Sequence, residues 1–95
     1  MKDFKEKVAL ITGAGSGIGR ALAVELADNG CSLALVDWNA DSLAETKLLL
    51  EKKNVAVSTH AFDISDREKI SNLPNQVMSH HNQIDMVFNL SLIHI

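Results

Sequence analysis

Apolar and polar positions alternate along this chain in two periods that take turns. Val8-Ala-Leu-Ile-Thr12 is an unbroken apolar run, the pattern of a strand buried on both faces. Ser32-Leu-Ala-Leu-Val36 is a second such run and ends at Asp37. Val55 to Phe62 alternates and predicts a third strand, and Ile84-Asp-Met-Val-Phe88 predicts a fourth. Between the first two strands, Ile18, Leu22 and Leu26 fall at helical spacing and predict the inner face of a helix. Asn29-Gly30 ends it, with Gly30 suited to the left-handed C-terminal position. Leu43, Thr46 and Leu50 mark the inner face of a second helix, capped by Asn39 or Asp41, while Lys47, Glu51, Lys52 and Lys53 face solvent. Ser65 or Asp66 can cap a third helix. Pro74 lies within that stretch. It has no N–H and its ring would clash with the Ile70 carbonyl, which predicts a kink or two short helices.

Strands alternating with helices over short connections predict an α/β fold, a doubly wound parallel sheet. About four strands and three helices make it an incomplete one. No repeat or linker interrupts the 95 residues, so one unit is expected, ending just after a strand. The fourth strand would be an exposed edge, and the chain made alone is expected to be marginal or to aggregate.

Composition narrows the classes. Hydrophobic residues at 46% and charged residues at 22% exclude a disordered chain. A net charge of -3 with no basic cluster argues against nucleic acid or an anionic membrane as partner. The single cysteine, Cys31, excludes an internal disulfide and is expected to act as a small buried hydrophobe. The charged start, Met1 to Lys7, is unlike a signal peptide, and no apolar run is long enough to span a membrane; a cytoplasmic protein is expected. His60, His80, His81 and His94 lack zinc-site spacing, and helical neighbours such as His80 and His81 point about 100° apart, so no metal is expected.

The chemistry concentrates at Thr12-Gly-Ala-Gly-Ser-Gly-Ile-Gly19, between the first strand and the first helix. A helix N-terminus carries unpaired N–H groups and a partial positive charge, and so favours an anion. Gly13 permits a tight exit from the strand. Gly17 lacks the Cβ that would block a pyrophosphate. Gly19 lets the helix lie close against the sheet. Asp37, about eighteen residues beyond Gly19, sits where a carboxylate can accept from the ribose hydroxyls of a dinucleotide. It would repel the extra phosphate of NADP. Trp38 is expected to be a partly exposed loop residue.

The loop does not follow G-x-G-x-x-G, since Ile18 and Arg20 stand where the last glycine should be. Its form, T-G-x-x-x-G-x-G, resembles that of the short-chain dehydrogenase/reductase family, and the resemblance covers Phe4 to Asn89. It implies a Rossmann-like fold and an oxidoreductase that moves hydride between a nicotinamide cofactor and an alcohol or carbonyl substrate. It implies a cofactor set of Gly13, Ser16, Gly17, Ile18, Gly19, Asp37, Asp63, Ile64 and Asn89. In similar enzymes the acid and its neighbour matching Asp63 and Ile64 contact the adenine, and Asn89 matches the first asparagine of an N-N-A-G motif. NADP preference in this family brings a basic residue to the positions held here by Ser16 and Trp38, so NAD is favoured. A full-length form is expected to be a homo-oligomer acting on a small molecule.

The resemblance stops after Asn89. Leu90-Ser91-Leu92 stands where Asn-Ala-Gly is expected, so the resemblance implies a cofactor-binding unit over 1–89 and an aberrant tail over 90–95, and Ser91 is not the family's catalytic serine. The family's acid/base pair, Y-x-x-x-K, is missing, as the chain contains no tyrosine, and the chain alone is expected to be inactive. The alternatives are a non-catalytic nucleotide-binding fragment or truncated gene product, and an S-adenosylmethionine-dependent transferase, against which the glycine spacing argues.

Overall fold

The computed structural model describes residues 4–90. Four strands, β1 (Val8–Thr12), β2 (Ser32–Asp37), β3 (Val57–Ala61) and β4 (Met86–Asn89), form one sheet in the order β3-β2-β1-β4. All three pairings are parallel. Helices α1 (Gly17–Asp28), α2 (Ala40–Leu50) and α3 (Arg67–His81) make the crossovers, with a single 3-10 turn at Glu51–Lys53 after α2. This is the Rossmann-like α/β arrangement expected. None of the helices among the described residues is long and apolar enough to cross a membrane.

Strand alternation sorts the core onto two faces. Ala9 and Ile11 of β1 and Leu33 and Leu35 of β2 join Ala23, Leu26 and Ala27 of α1 and Leu43 and Leu50 of α2. Leu10, Ala34 and Val36, from the intervening positions, join Phe62 and α3 residues Leu73 and Val77. The central strands are thus apolar on both sides because helices cover both sides. Cys31 is buried among the α1 and α2 residues, and burial pushes its thiol pKa up, which makes it an inert filler.

Local signals explain the element ends. Gly30, at φ 86°, donates to the Ala27 carbonyl at 3.0 Å, and Cys31 donates to that of Leu26 at 3.1 Å. That pair of bonds closes α1 in a Schellman motif. Of the two candidates for α2, Asn39 is the cap, its side chain accepting from Ser42 N at 3.1 Å. Asp66 caps α3, accepting from Lys69 N at 3.2 Å. Asp85 fastens the far end of the sheet by accepting from Val8 N at 2.8 Å.

Two expectations need correction. Pro74 does not split its helix, for α3 runs unbroken from Arg67 to His81. Leu73 and Val77 are buried on either side of the proline and hold both halves on the sheet, while Pro74 itself is exposed, so the carbonyl it leaves unpaired can be hydrated. Ile18 is not on the inner face of α1. It is 77% exposed, and the buried stripe is Gly19, Ala23, Leu26 and Ala27, with Leu22 half-buried. The first turn of α1 packs through glycine backbone, which turns the larger side chain outward.

Candidate functional site

The parallel register brings the C-terminal strand ends together. Thr12 is paired with Val36 on one side and Asn89 on the other, and Asp37 is paired with Ala61. Ligands of open α/β sheets bind outside these ends. The glycine loop emerges there, anchored to β2 by Ala14 N donating to Val36 O at 3.0 Å.

Each loop glycine has a physical task. Gly13 has φ 73°, a left-handed turn that lets the chain leave β1 sharply. Gly17 has φ 57°, and a Cβ placed on it would meet nothing within 4 Å. The space above the opening of α1 is therefore clear. A Cβ on Gly19 would lie 2.0 Å from the Gly13 carbonyl oxygen. Gly19 thus allows the helix to approach the loop backbone, rather than the sheet as the sequence pattern implied. Ser16 caps α1 in an extended conformation, and its side chain makes no capping hydrogen bond. The cleared amides of Gly17, Ile18 and Gly19, with the exposed Ser16 hydroxyl beside them, suit a diphosphate.

Asp37 is fixed by two main-chain donors. Its Oδ2 accepts from Gly15 N at 2.9 Å and its Oδ1 from Asn39 N at 3.2 Å. The carboxylate that follows β2 thus touches the loop that follows β1. Trp38 beside it is 74% exposed. Asn89 lies across the other side of β1, where its Oδ1 accepts from Thr12 Oγ1 at 2.7 Å. Leu90 N in turn donates to Thr12 Oγ1 at 3.1 Å.

Asp63 and Ile64 follow β3 directly after Phe62, whose N–H donates to the Asp37 carbonyl at 3.1 Å. Asp63 Oδ1 accepts from Ser65 N at 2.9 Å and from Ser65 Oγ at 2.8 Å, and these bonds hold its pKa below the usual carboxylate range. That is the geometry of a turn acid. The Ile64 side chain packs against the α3-side core. Ser91 and His94 lie outside the described residues. Among the described residues, no group of three or more His, Cys, Asp or Glu is arranged to hold a metal ion.

Sequence reasoning missed four residues at the loop. Gly15 is one: a Cβ there would lie 2.8 Å from Asp37 Oδ2. The others are Arg20, Ser42 and Thr46. Arg20 Nε donates to Thr46 Oγ1 at 2.8 Å, and its Nη2 donates to the carbonyls of Gly15 and of Ser42. One signal was available, because a cation in the first turn of a helix opposes the macrodipole and requires a local reason. Thr46 offered another as the polar member of the Leu43, Thr46, Leu50 face.

Comparison with known proteins agrees with this geometry. The family described as short chain dehydrogenase matches residues 7–91. SadH, named as an oxidoreductase, from Mycobacterium tuberculosis is 40% identical over 89 residues, which are 94% of this chain and 32% of that protein. The 15-hydroxyprostaglandin dehydrogenase (NAD+) of Macaca fascicularis is 36% identical over 85 residues, 87% of this chain and 32% of the relative. Among solved structures, NAD+-bound xylitol dehydrogenase superposes with a TM-score of 0.87 at 32% identity, over 90% of this chain and 33% of that one. The chain spans about a third of the length of the relatives it matches. On its sheet order, its glycine loop and a match over nearly all its residues, the chain belongs to the short chain dehydrogenase family.

Proposed function

We propose that this chain forms the cofactor-binding part of an NAD-dependent oxidoreductase acting on an alcohol or carbonyl substrate. One observation carries the reading: the opening of α1 is free of side chains at Gly17, and a carboxylate, Asp37, is anchored to the same loop by Gly15 N at 2.9 Å. The residues present therefore fit a nicotinamide dinucleotide. When bound, that group supplies hydride transfer.

The chain's own residues bind and orient it. Gly13 sets the turn, and the amides of Gly17, Ile18 and Gly19, with the Ser16 hydroxyl, hold the diphosphate. The exposed Ile18 side chain offers the cofactor an apolar contact. Asp37 accepts from the ribose hydroxyls and repels the additional phosphate of NADP. Ser16 and Trp38 place no cation to offset that repulsion, which favours NAD. Asp63 and the Ile64 main chain contact the adenine. Asn89, held by Thr12, steadies the strand beneath the cofactor. No Y-x-x-x-K pair is among these residues, so binding rather than turnover is the activity to test on this chain.

The test is titration of the chain with NAD, NADP and S-adenosylmethionine, read by the fluorescence of its one tryptophan, Trp38, and by thermal shift. Tighter binding of NAD than of NADP is expected. Stabilisation by S-adenosylmethionine alone, or no affinity for either nicotinamide cofactor, overturns the reading.

A further inference from the structure

Asp37 and the glycine loop are joined by a network that the binding roles above leave unexplained. Gly15 is gripped on both sides. Its N–H donates to Asp37 Oδ2 at 2.9 Å, and its carbonyl accepts from Arg20 Nη2. The same guanidinium donates through Nε to Thr46 Oγ1 at 2.8 Å and through Nη2 to the Ser42 carbonyl at 3.1 Å. Thr46 is fully buried, and its hydroxyl donates to the Ala14 carbonyl at 2.9 Å. One planar fork from α1 thus binds two residues of α2 and one of the loop. Lysine cannot reproduce this, because an ammonium group is a point charge without the fork.

The position of the cation is costly. Arg20 is in the first turn of α1, where the helix dipole opposes positive charge. The carbonyls of Gly15 and Ser42 offset this locally, and Glu45 Oε2 lies 3.8 Å from Arg20 Nη2. The clamp is also tight. A Cβ on Gly15 would stand 2.8 Å from both Asp37 Oδ2 and Ser42 Cβ. Gly15 therefore cannot shift without moving the carboxylate or losing its bond to it. Asp37 has two main-chain partners, and Gly15 N is one of them.

We infer that Arg20 is a positioning residue for cofactor discrimination: through Gly15 and Thr46 it sets the direction in which the Asp37 carboxylate faces the adenosine ribose. This rests on the reading of the site as an NAD site. A carboxylate held in one orientation accepts from the ribose hydroxyls and opposes a phosphate in their place. A carboxylate released from Gly15 does both less well. Loss of Arg20 therefore weakens NAD more than NADP and narrows the ratio between them. A merely structural role would lower both affinities together, through the folded fraction.

The experiment compares the wild-type chain with Arg20→Leu, Arg20→Lys and Thr46→Val. Dissociation constants for NAD and NADP are read from Trp38 fluorescence. Exchange of the Gly15 amide is read by NMR without cofactor, with the Ile11 amide of β1 as internal reference. In Arg20→Leu we expect NAD affinity to fall about tenfold, the worth of one charge-assisted hydrogen bond, with a smaller change for NADP. Gly15 exchange should quicken about tenfold relative to Ile11 on the same scale. Arg20→Lys should leave the ratio narrowed. Thr46→Val keeps the side chain's shape and should move both readouts the same way by less, which serves where Arg20→Leu does not hold its fold. A wild type that binds NAD, with an unchanged ratio in Arg20→Leu and Thr46→Val, overturns this inference alone. Full recovery by Arg20→Lys does the same. A wild type that binds neither cofactor overturns the reading of the site and this inference with it.

Discussion

The two faces of the sheet are built from the same strands and solve different problems. On the α1 and α2 face, Ile11, Leu33, Leu35, Leu43 and Leu50 are each at most 1% exposed. The main polar intruder there, Thr46, is turned toward the glycine loop, where it donates to Ala14 O at 2.9 Å. On the α3 face the apolar cluster is smaller, and β3 contributes the polar residues Ser58 and His60 to its buried side. Ser58 Oγ lies 2.9 Å from His60 Nε2 and 2.8 Å from His81 Nε2. One hydroxyl proton serves one of these bonds, so Ser58 donates to one imidazole and accepts from the other. His80 adds a third ring, with its centroid 5.6 Å from that of His60. Polar groups on the first face support the candidate site. Those on the second support one another, and two of them, His60 and His81, titrate.

The largest effect should come from opening the first face. Leu43→Ala is expected to cost about 4 kcal/mol, because a packed two-helix face relaxes little around the cavity. Leu73→Ala, under the single helix α3, should cost about 2 kcal/mol, since that helix can settle inward. Urea denaturation of both variants measures the difference, and equal costs would break the comparison.

The helix starts should differ next. Gly19→Ala sets a methyl 2.0 Å from the Gly13 carbonyl oxygen, a backbone contact with nowhere to yield. About 3 kcal/mol of overpacking is expected, together with loss of NAD binding. At the start of α3, Asp66→Ala removes one cap and should cost about 1 kcal/mol, leaving NAD binding unchanged. Thermal melts and cofactor titration on the same samples separate the two.

The smallest effect sharpens the contrast by pH. His60 is held below the ordinary histidine pKa by burial, partly offset by the Gln76 side chain, and further lowered by His80 and His81. His81 is lowered by burial and then by His80, partly offset by the Leu33 main chain. The unfolded chain therefore binds more protons than the folded one below the unfolded value of 6.5. Stability from these groups is complete above that pH and declines as the pH falls through it toward the folded pKa. His81 Nδ1, buried with no hydrogen-bond partner, has no acceptor ready for an added proton. Asp63 and Asp85 are lowered too, by bonds from Ser65 and from Val8, but their contribution is lost only as the pH drops below 3.8. Hydrogen exchange near pH 6 should therefore quicken at Val77 before Leu26. Simultaneous loss on both faces would remove the distinction drawn here.

Much of the fold was legible in one dimension. The unbroken run Val8–Thr12 announced a strand covered on both sides, Gly30 announced the end of α1, and Asn39 and Asp66 were among the caps anticipated. Of the anticipated cofactor set, Asp37 is bonded to the glycine loop, Asn89 lies across β1, and Asp63 and Ile64 follow β3 just past the bond from Phe62 N to Asp37 O. These features follow from chain-local physics, in which periodicity selects the element and capping groups satisfy orphan amides.

Only the tertiary structure decided the rest. The outward turn of Ile18 and the unbroken course of α3 past Pro74 depend on what each helix packs against. The clamp among Gly15, Arg20, Asp37 and Thr46 joins positions far apart in the chain, and it exists because α1 and α2 lie side by side on one face of the sheet. Periodicity states which face of a helix is apolar. It carries no information on the neighbour that a polar group at the rim of that face will meet, because that depends on the stacking of two helices whose residues never approach one another along the chain.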